Sequence, residues 1–100
     1  MITYLQNEAD FDELIKGEKV VIDFYADWCG PCQMLSPVLE EAHEKFEFTL
    51  VKINTDLFPN IARRFGIMSI PTLLLFKNGD LVKKELGYKP LPAVLSFVNN

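Results

Sequence analysis

The stretch KVVIDFYA, Lys19 to Ala26, restricts the possible folds more than any other part of the chain. Its residues are mostly β-branched or aromatic with little polar interruption, the pattern of a central strand covered on both faces. Such a strand needs helices above and below it, and the flanking sequence supplies them. Asn7 is a candidate N-cap with Asp10 three residues on, and Phe11, Leu14 and Ile15 follow at helical spacing until Gly17 ends the run. After the strand, Leu35, Leu39, Ala42 and Phe46 recur along one side of a helix reaching about Lys45, with Pro37 expected to kink its first turns. FTLVKIN, Phe48 to Asn54, reads as the next strand, and Pro59 to Phe65 as a short helix closed by Gly66. This alternation predicts a parallel βαβ unit with a right-handed crossover.

The second half turns back on itself. TLLLF, Thr72 to Phe76, and LVKKEL, Leu81 to Leu86, flank KNGD, and Asn-Gly between two such runs is a strong hairpin signal. Leu91, Val94, Leu95 and Val98 mark a last amphipathic helix, with Pro92 tolerable only near its start. The expectation is one α/β domain over residues 1–100. Its central mixed sheet, βαβαβ and then antiparallel ββ and α, carries helices on both faces. Phe11, Phe24, Phe46, Phe65, Leu73, Leu75 and Val94 are expected in the core.

With 49% hydrophobic residues in 100, there is enough apolar material for a single core. No apolar run nears the roughly 20 residues of a membrane span. MITYLQNEADF lacks the basic start and apolar stretch of a secretory signal, so a cytoplasmic protein away from membranes is expected. The net charge of −4 argues against nucleic acid, and the densest basic pairs, Arg63-Arg64 and Lys83-Lys84, read as solvated faces.

The chemistry lies in ADWCGPC, Ala26 to Cys32, which holds both cysteines. A permanent staple is disfavoured in a reducing compartment. A tetrahedral metal site wants four ligands, and the chain offers Cys29, Cys32 and the lone His43. Helical rise would carry His43 about 16 Å from Cys32, leaving open only a site shared by two chains. As a reagent the pair is better placed. At a strand-to-helix junction Cys29 meets unpaired N–H groups and the positive end of the helix dipole, which favour thiolate. Cys32 can then resolve a mixed disulfide formed at Cys29. Gly30-Pro31 keeps the turn tight. On this reading Cys29 is the exposed attacker and Cys32, one turn inside, the shielded resolver.

Asp23 is anomalous inside an apolar strand. A buried carboxylate is costly and responds with a raised pKa, and such a group can accept the proton of Cys32. A solvated strand end or a capping carboxylate is the other reading, and the residues alone do not separate the two.

WCGPC, with VIDFYAD before it and SIPTLLLFKNG after it, resembles the thioredoxin family over nearly the whole chain, from about Thr3 to Phe97. The resemblance implies the thioredoxin fold and reduction of protein disulfides through Cys29 and Cys32. It implies that Asp23 is the family's buried proton-transfer aspartate, with Lys52 close to it. Pro71 falls where the family carries a cis-proline, which would turn the backbone of Ile70 toward the cysteines to pair with an extended substrate segment. Trp28, Gly30 and Pro31 join Ile70 and Pro71 as the implied substrate-binding set, with Gly87 at the edge of its apolar rim. No dinucleotide fingerprint or flavin motif is present, so no bound cofactor is expected, and no metal is expected within the one chain. Electrons then come from a separate thioredoxin reductase, and the other partners are disulfide-containing proteins met by a monomer. Two departures stand out. Gln33 occupies a position that is often Lys or Arg, which could leave the thiols slightly less acidic or alter reductase docking. The first strand, roughly Ile2 to Leu5, should be short. The alternatives are a disulfide oxidant or isomerase, which tends to carry histidine between its cysteines, and a non-catalytic partner subunit of this fold. Gly-Pro resembles the reducing branch.

Overall fold

A computed structural model describes residues 1–99. Strand β1 (Ile2–Tyr4) is followed by a 3-10 turn (Glu8–Asp10) running into α1 (Phe11–Leu14), then β2 (Val20–Tyr25) and α2 (Gly30–Lys45). Next come β3 (Thr49–Asn54), α3 (Pro59–Arg64), β4 (Thr72–Lys77), β5 (Asp80–Leu86) and α4 (Leu91–Val98). The strands form one five-stranded sheet in the order β1-β3-β2-β4-β5. The central strand is β2, parallel to β3 and antiparallel to β4. β1 runs parallel to β3, and β5 pairs antiparallel with β4. The mixed sheet flanked by helices is the architecture expected from the sequence.

Alternation along β2 builds a core on each side of the sheet. Val20, Ile22 and Phe24 enter one core with Phe11, Ile15 and Ile61, under α1 and α3. Val21 points the other way, into a core closed by Leu35 and Leu39 of α2 and by Val94 and Phe97 of α4. Successive strand side chains take opposite faces, so Asp23, two residues after Val21, faces α2. In β3 the parity is the same: Leu50 joins the α2 core, and Lys52 follows on that face. Each large apolar side chain so enclosed stabilises the fold by roughly 1.5–3 kcal/mol relative to leaving it exposed. Phe46 and Phe65, expected inside, are half-buried at the margins of the two cores.

The hairpin between β4 and β5 turns on Asn78 and Gly79, whose φ angles of 52° and 88° lie in the left-handed region that Asn-Gly turns require. The first helix departs from expectation. Asn7 makes no side-chain cap; its carbonyl accepts from the Asp10 N–H at 3.1 Å, which tightens the start into a 3-10 turn. The other end tightens too, where the Lys16 N–H reaches back three residues to Glu13 at 3.3 Å, so α1 stops at Leu14. Pro37 stands inside α2, and the helix continues past it to Lys45. Its missing N–H leaves the Gln33 carbonyl without the usual partner.

Leu39 is fully buried between α2 and the sheet. Leu39→Ala is expected to lower stability by about 2–5 kcal/mol through lost transfer energy and the cavity left behind. Denaturant titration of the oxidised protein reads this as a lower midpoint with little change in slope.

Candidate active site at the β2–α2 junction

The chain leaves the central strand at Tyr25 and enters α2 at Gly30, so the two cysteines sit where strand becomes helix. Cys29 is the N-cap of α2, with extended backbone, and its Sγ accepts the Cys32 N–H at 3.2 Å. That N–H is one of the first-turn donors that has no partner within the helix. The Gln33 N–H closes on the Cys29 carbonyl at 3.1 Å, and Pro31 in the first turn lacks an N–H that would otherwise be orphaned. Cys29 and Cys32 are joined by a disulfide, with Cα atoms 5.3 Å apart.

In this oxidised form both cysteines are 4% exposed, so exposure does not rank them as the sequence reading expected. Cys29 and Cys32 pack together with Ala26, and Ile70 packs against them. Their surroundings do differ. The Cys29 Sγ lies 3.9 Å from the Ile70 carbonyl oxygen, on the side of the β4 segment. Cys32 lines a cavity of about 220 Å³ together with Asp23, Tyr25, Ser36 and Lys52.

Asp23 is 1% exposed, and its Oδ1 finds no hydrogen-bond partner among the described residues. Burial pushes its carboxyl up to about 6, against an opposing pull from the Lys52 ammonium. Lys52, opposite Asp23 in the β2–β3 register, is itself only 4% exposed, with Nζ 3.8 Å from the Asp23 Oδ2. The ammonium also donates to the Ser36 hydroxyl and lies over the rings of Tyr4 and Tyr25, at 5.5 and 5.8 Å from their centroids. The Tyr25 hydroxyl is raised as well, by burial first and then by nearby Asp27, Tyr4 and Asp23.

On the outer side, Trp28 is 72% exposed, and its Nε1 donates to Asp56 Oδ2 at 2.9 Å. Asp56 is fixed in turn by its own N–H, which donates to Asn54 Oδ1 at 2.9 Å. The Ile70–Pro71 peptide bond is cis, and the Pro71 carbonyl accepts the Gly87 N–H at 2.8 Å. Pro71 is buried and Ile70 half-buried against the cysteines, while Gly30 is open: a Cβ there would meet nothing within 4 Å. Gln33 uses its side chain internally, donating to the Asp27 carbonyl at 2.8 Å. His43 takes Met1 and Phe48 as its neighbours, not the cysteines. Among the described residues no group of three or more His, Cys, Asp or Glu is placed to hold a metal. Ser36 and Asp56 were not singled out in the sequence. Ser36 had a signal, since it follows Cys32 by four residues on the same helix face; nothing in the sequence marked Asp56.

A cysteine pair bonded across the first turn of a helix, beside a buried carboxyl and a cis-proline segment, defines a dithiol–disulfide redox protein. The family model for Thioredoxin matches residues 2–100. The thioredoxin of Alicyclobacillus acidocaldarius is 50% identical over 91 residues, covering 88% of this chain and 87% of that protein. That of Mycoplasmoides gallisepticum is 42% identical over 89 residues, covering 87% and 89%. Among solved structures, a Halobacterium salinarum thioredoxin superposes with a TM-score of 0.92 at 35% identity over 98% of this chain and 88% of that one. Oxidised mitochondrial thioredoxin 3 of Saccharomyces cerevisiae gives 0.90 at 39% identity, covering 98% and 93%. The chain belongs to the thioredoxin family, and its fold is the thioredoxin fold. Its activity is thiol–disulfide exchange through the Cys29–Cys32 pair, reducing protein disulfides.

The raised carboxyl of Asp23 makes stability depend on pH. Its pKa of about 6 when folded exceeds the ordinary 3.8, so the folded state binds the proton more tightly. Well below the ordinary 3.8 both states hold the proton and nothing is lost; above pH 6 the buried carboxylate weakens the fold by on the order of 3 kcal/mol. Asp23→Asn removes this dependence. The stability of the variant minus that of the parent is expected to rise by on the order of 3 kcal/mol between pH 3 and pH 7, measured by denaturation at each pH.

Proposed function

We propose that Cys29 attacks and Cys32 resolves, because each faces the group its step requires. The observation that carries this reading is the asymmetry around the disulfide: Ile70 on the Cys29 side, the Asp23 cavity on the Cys32 side. In the reduced protein the Cys29 thiolate attacks one sulfur of a substrate disulfide, forming a Cys29–substrate mixed disulfide and releasing the other sulfur as a thiolate. Cys32 gives its proton to the Asp23 carboxylate and attacks the Cys29 sulfur. The Cys29–Cys32 bond re-forms and the second substrate sulfur leaves. Two electrons pass from the dithiol to the substrate disulfide. Thiolate at Cys29 is favoured by the N-terminal end of α2, where the Cys32 N–H already points at its sulfur.

Substrate recognition is assigned to Trp28, Gly30, Pro31, Ile70 and Pro71. The exposed Trp28 face and the open space above Gly30 leave room for an extended segment beside the sulfurs. Backbone pairing at Ile70 would ask little of the substrate's sequence. The reading covers residues 1–100 as one domain working as a cytoplasmic monomer without bound cofactor or metal. A thioredoxin reductase returns the electrons. Among the described residues no helix is long and apolar enough to cross a membrane, and the net charge of −4 suits protein partners better than nucleic acid. A structural relative from yeast was solved in work on a peroxiredoxin resolved through glutathione and thioredoxin systems, which supports protein disulfides as the substrate class.

Single cysteine variants test the order of attack. Cys32→Ser is expected to accumulate a covalent complex with a disulfide-bonded protein, visible by mass spectrometry of the intact adduct and released by dithiothreitol. Cys29→Ser is expected to trap none and to lose turnover entirely. Trapping by Cys29→Ser instead would reverse the two roles.

A further inference from the structure

Ser36 lies half-buried on α2, one turn after Cys32, and joins an interior ion pair to a surface carboxylate. A serine hydroxyl has one proton to donate and lone pairs to accept with. Here the proton points to Glu40 Oε2, 3.4 Å away on the exposed side of the same helix, and the oxygen accepts from the Lys52 ammonium. The same ammonium stands 3.8 Å from Asp23 Oδ2, near enough to attract the carboxyl but too far for a hydrogen bond. Asp23 Oδ1 has no partner among the described residues. The ammonium's hydrogen bond therefore goes to Ser36, not to Asp23.

We propose that Ser36 is a positioning residue for the redox reaction: its hydroxyl, oriented by Glu40, holds Lys52 off Asp23 and leaves the carboxyl without a hydrogen-bonded counter-charge. A carboxylate directly bonded to an ammonium is a weak base, whereas one kept at this distance in a buried site holds a proton more tightly. The other charged or titratable groups around Asp23 do not substitute for Ser36. Tyr25 and Asp27 come from β2 and the loop after it, Tyr4 from β1, and Cys32 and Glu40 from α2. β4 contributes apolar Leu73 opposite Asp23. Lys52 is the one cation among the residues lining this cavity, so its placement decides how strongly Asp23 takes the proton of Cys32. The inference rests on Asp23 as that acceptor, and its test separates the two claims.

The test follows the Asp23 side-chain carboxyl carbon by NMR pH titration in the parent, Ser36→Ala and Ser36→Thr. Alanine is a strong helix former and the position is half-buried, so α2 should fold in the variant. Without the hydroxyl, Lys52 closes on Asp23, and the titration midpoint is expected to fall by about one pH unit. Ser36→Thr, which keeps the hydroxyl, is expected to restore it. Release of product from the mixed disulfide, the step that uses Cys32, should slow by roughly threefold at pH 7 in Ser36→Ala, with the Cys29 attack unchanged. An Asp23 midpoint that stays put or rises in Ser36→Ala overturns the proposal. A midpoint that falls while product release keeps its rate shows that Ser36 sets the Lys52–Asp23 contact but overturns its role in the reaction, and removes Asp23 as the proton acceptor.

Discussion

Everything at the redox centre follows from β2 being covered on both faces. Val20, Val21, Ile22 and Phe24 are fully buried, in alternation, under α1 and α3 on one side and α2 and α4 on the other. A strand held that way cannot slip by one residue without reversing both cores, so its register is fixed. That register sends Asp23 to the α2 face and delivers Ala26 to Trp28 at the start of α2. The cysteine pair is thus set by the hydrophobic pattern of the strand before it. One carboxyl inside that pattern is then almost fully buried.

The placement exchanges stability for reactivity. An apolar residue at position 23 would suit the core better, and the raised carboxyl shows what burial does to the charged form. On the proposed mechanism the site gains in return a base that shares a cavity with Cys32, the sulfur assigned to lose a proton. Lys52 limits the cost of ionisation without abolishing it, because its ammonium is shared with Ser36 and two tyrosine rings. The outer side obeys different physics. Trp28 is exposed and hydrogen-bonded to Asp56, and the Pro71 carbonyl accepts from Gly87, so the residues proposed to meet substrate lie on the open side of the disulfide.

Much of this was legible in the sequence because it rests on local or periodic signals. The strand KVVIDFYA, the helix marked by Leu35, Leu39 and Ala42, and the Asn-Gly hairpin each follow from spacing or turn chemistry, and each appears where expected. The cysteine pair at the strand-to-helix junction was readable for the same reason. The cis bond before Pro71 was readable only through the family motif, since spacing says nothing about isomer. What escaped depends on three-dimensional neighbours. Asn7 looked like a cap, but the chain satisfies Asp10 through backbone. Cys29 looked exposed, but in the disulfide form it packs against Ala26 and Ile70 and is buried. Ser36 and Asp56 acquire partners 16 and 28 residues away in sequence, Lys52 and Trp28, which no local pattern reports.

The central claim is that Cys29 and Cys32 form a pair poised to reduce other proteins. Equilibrating the protein in glutathione redox buffers and quantifying oxidised and reduced forms gives its reduction potential directly. The account expects a potential more negative than that of the cytosolic glutathione pool, so that the dithiol donates electrons to substrates under cellular conditions. A potential well above that pool would contradict it and make the protein an oxidant or isomerase.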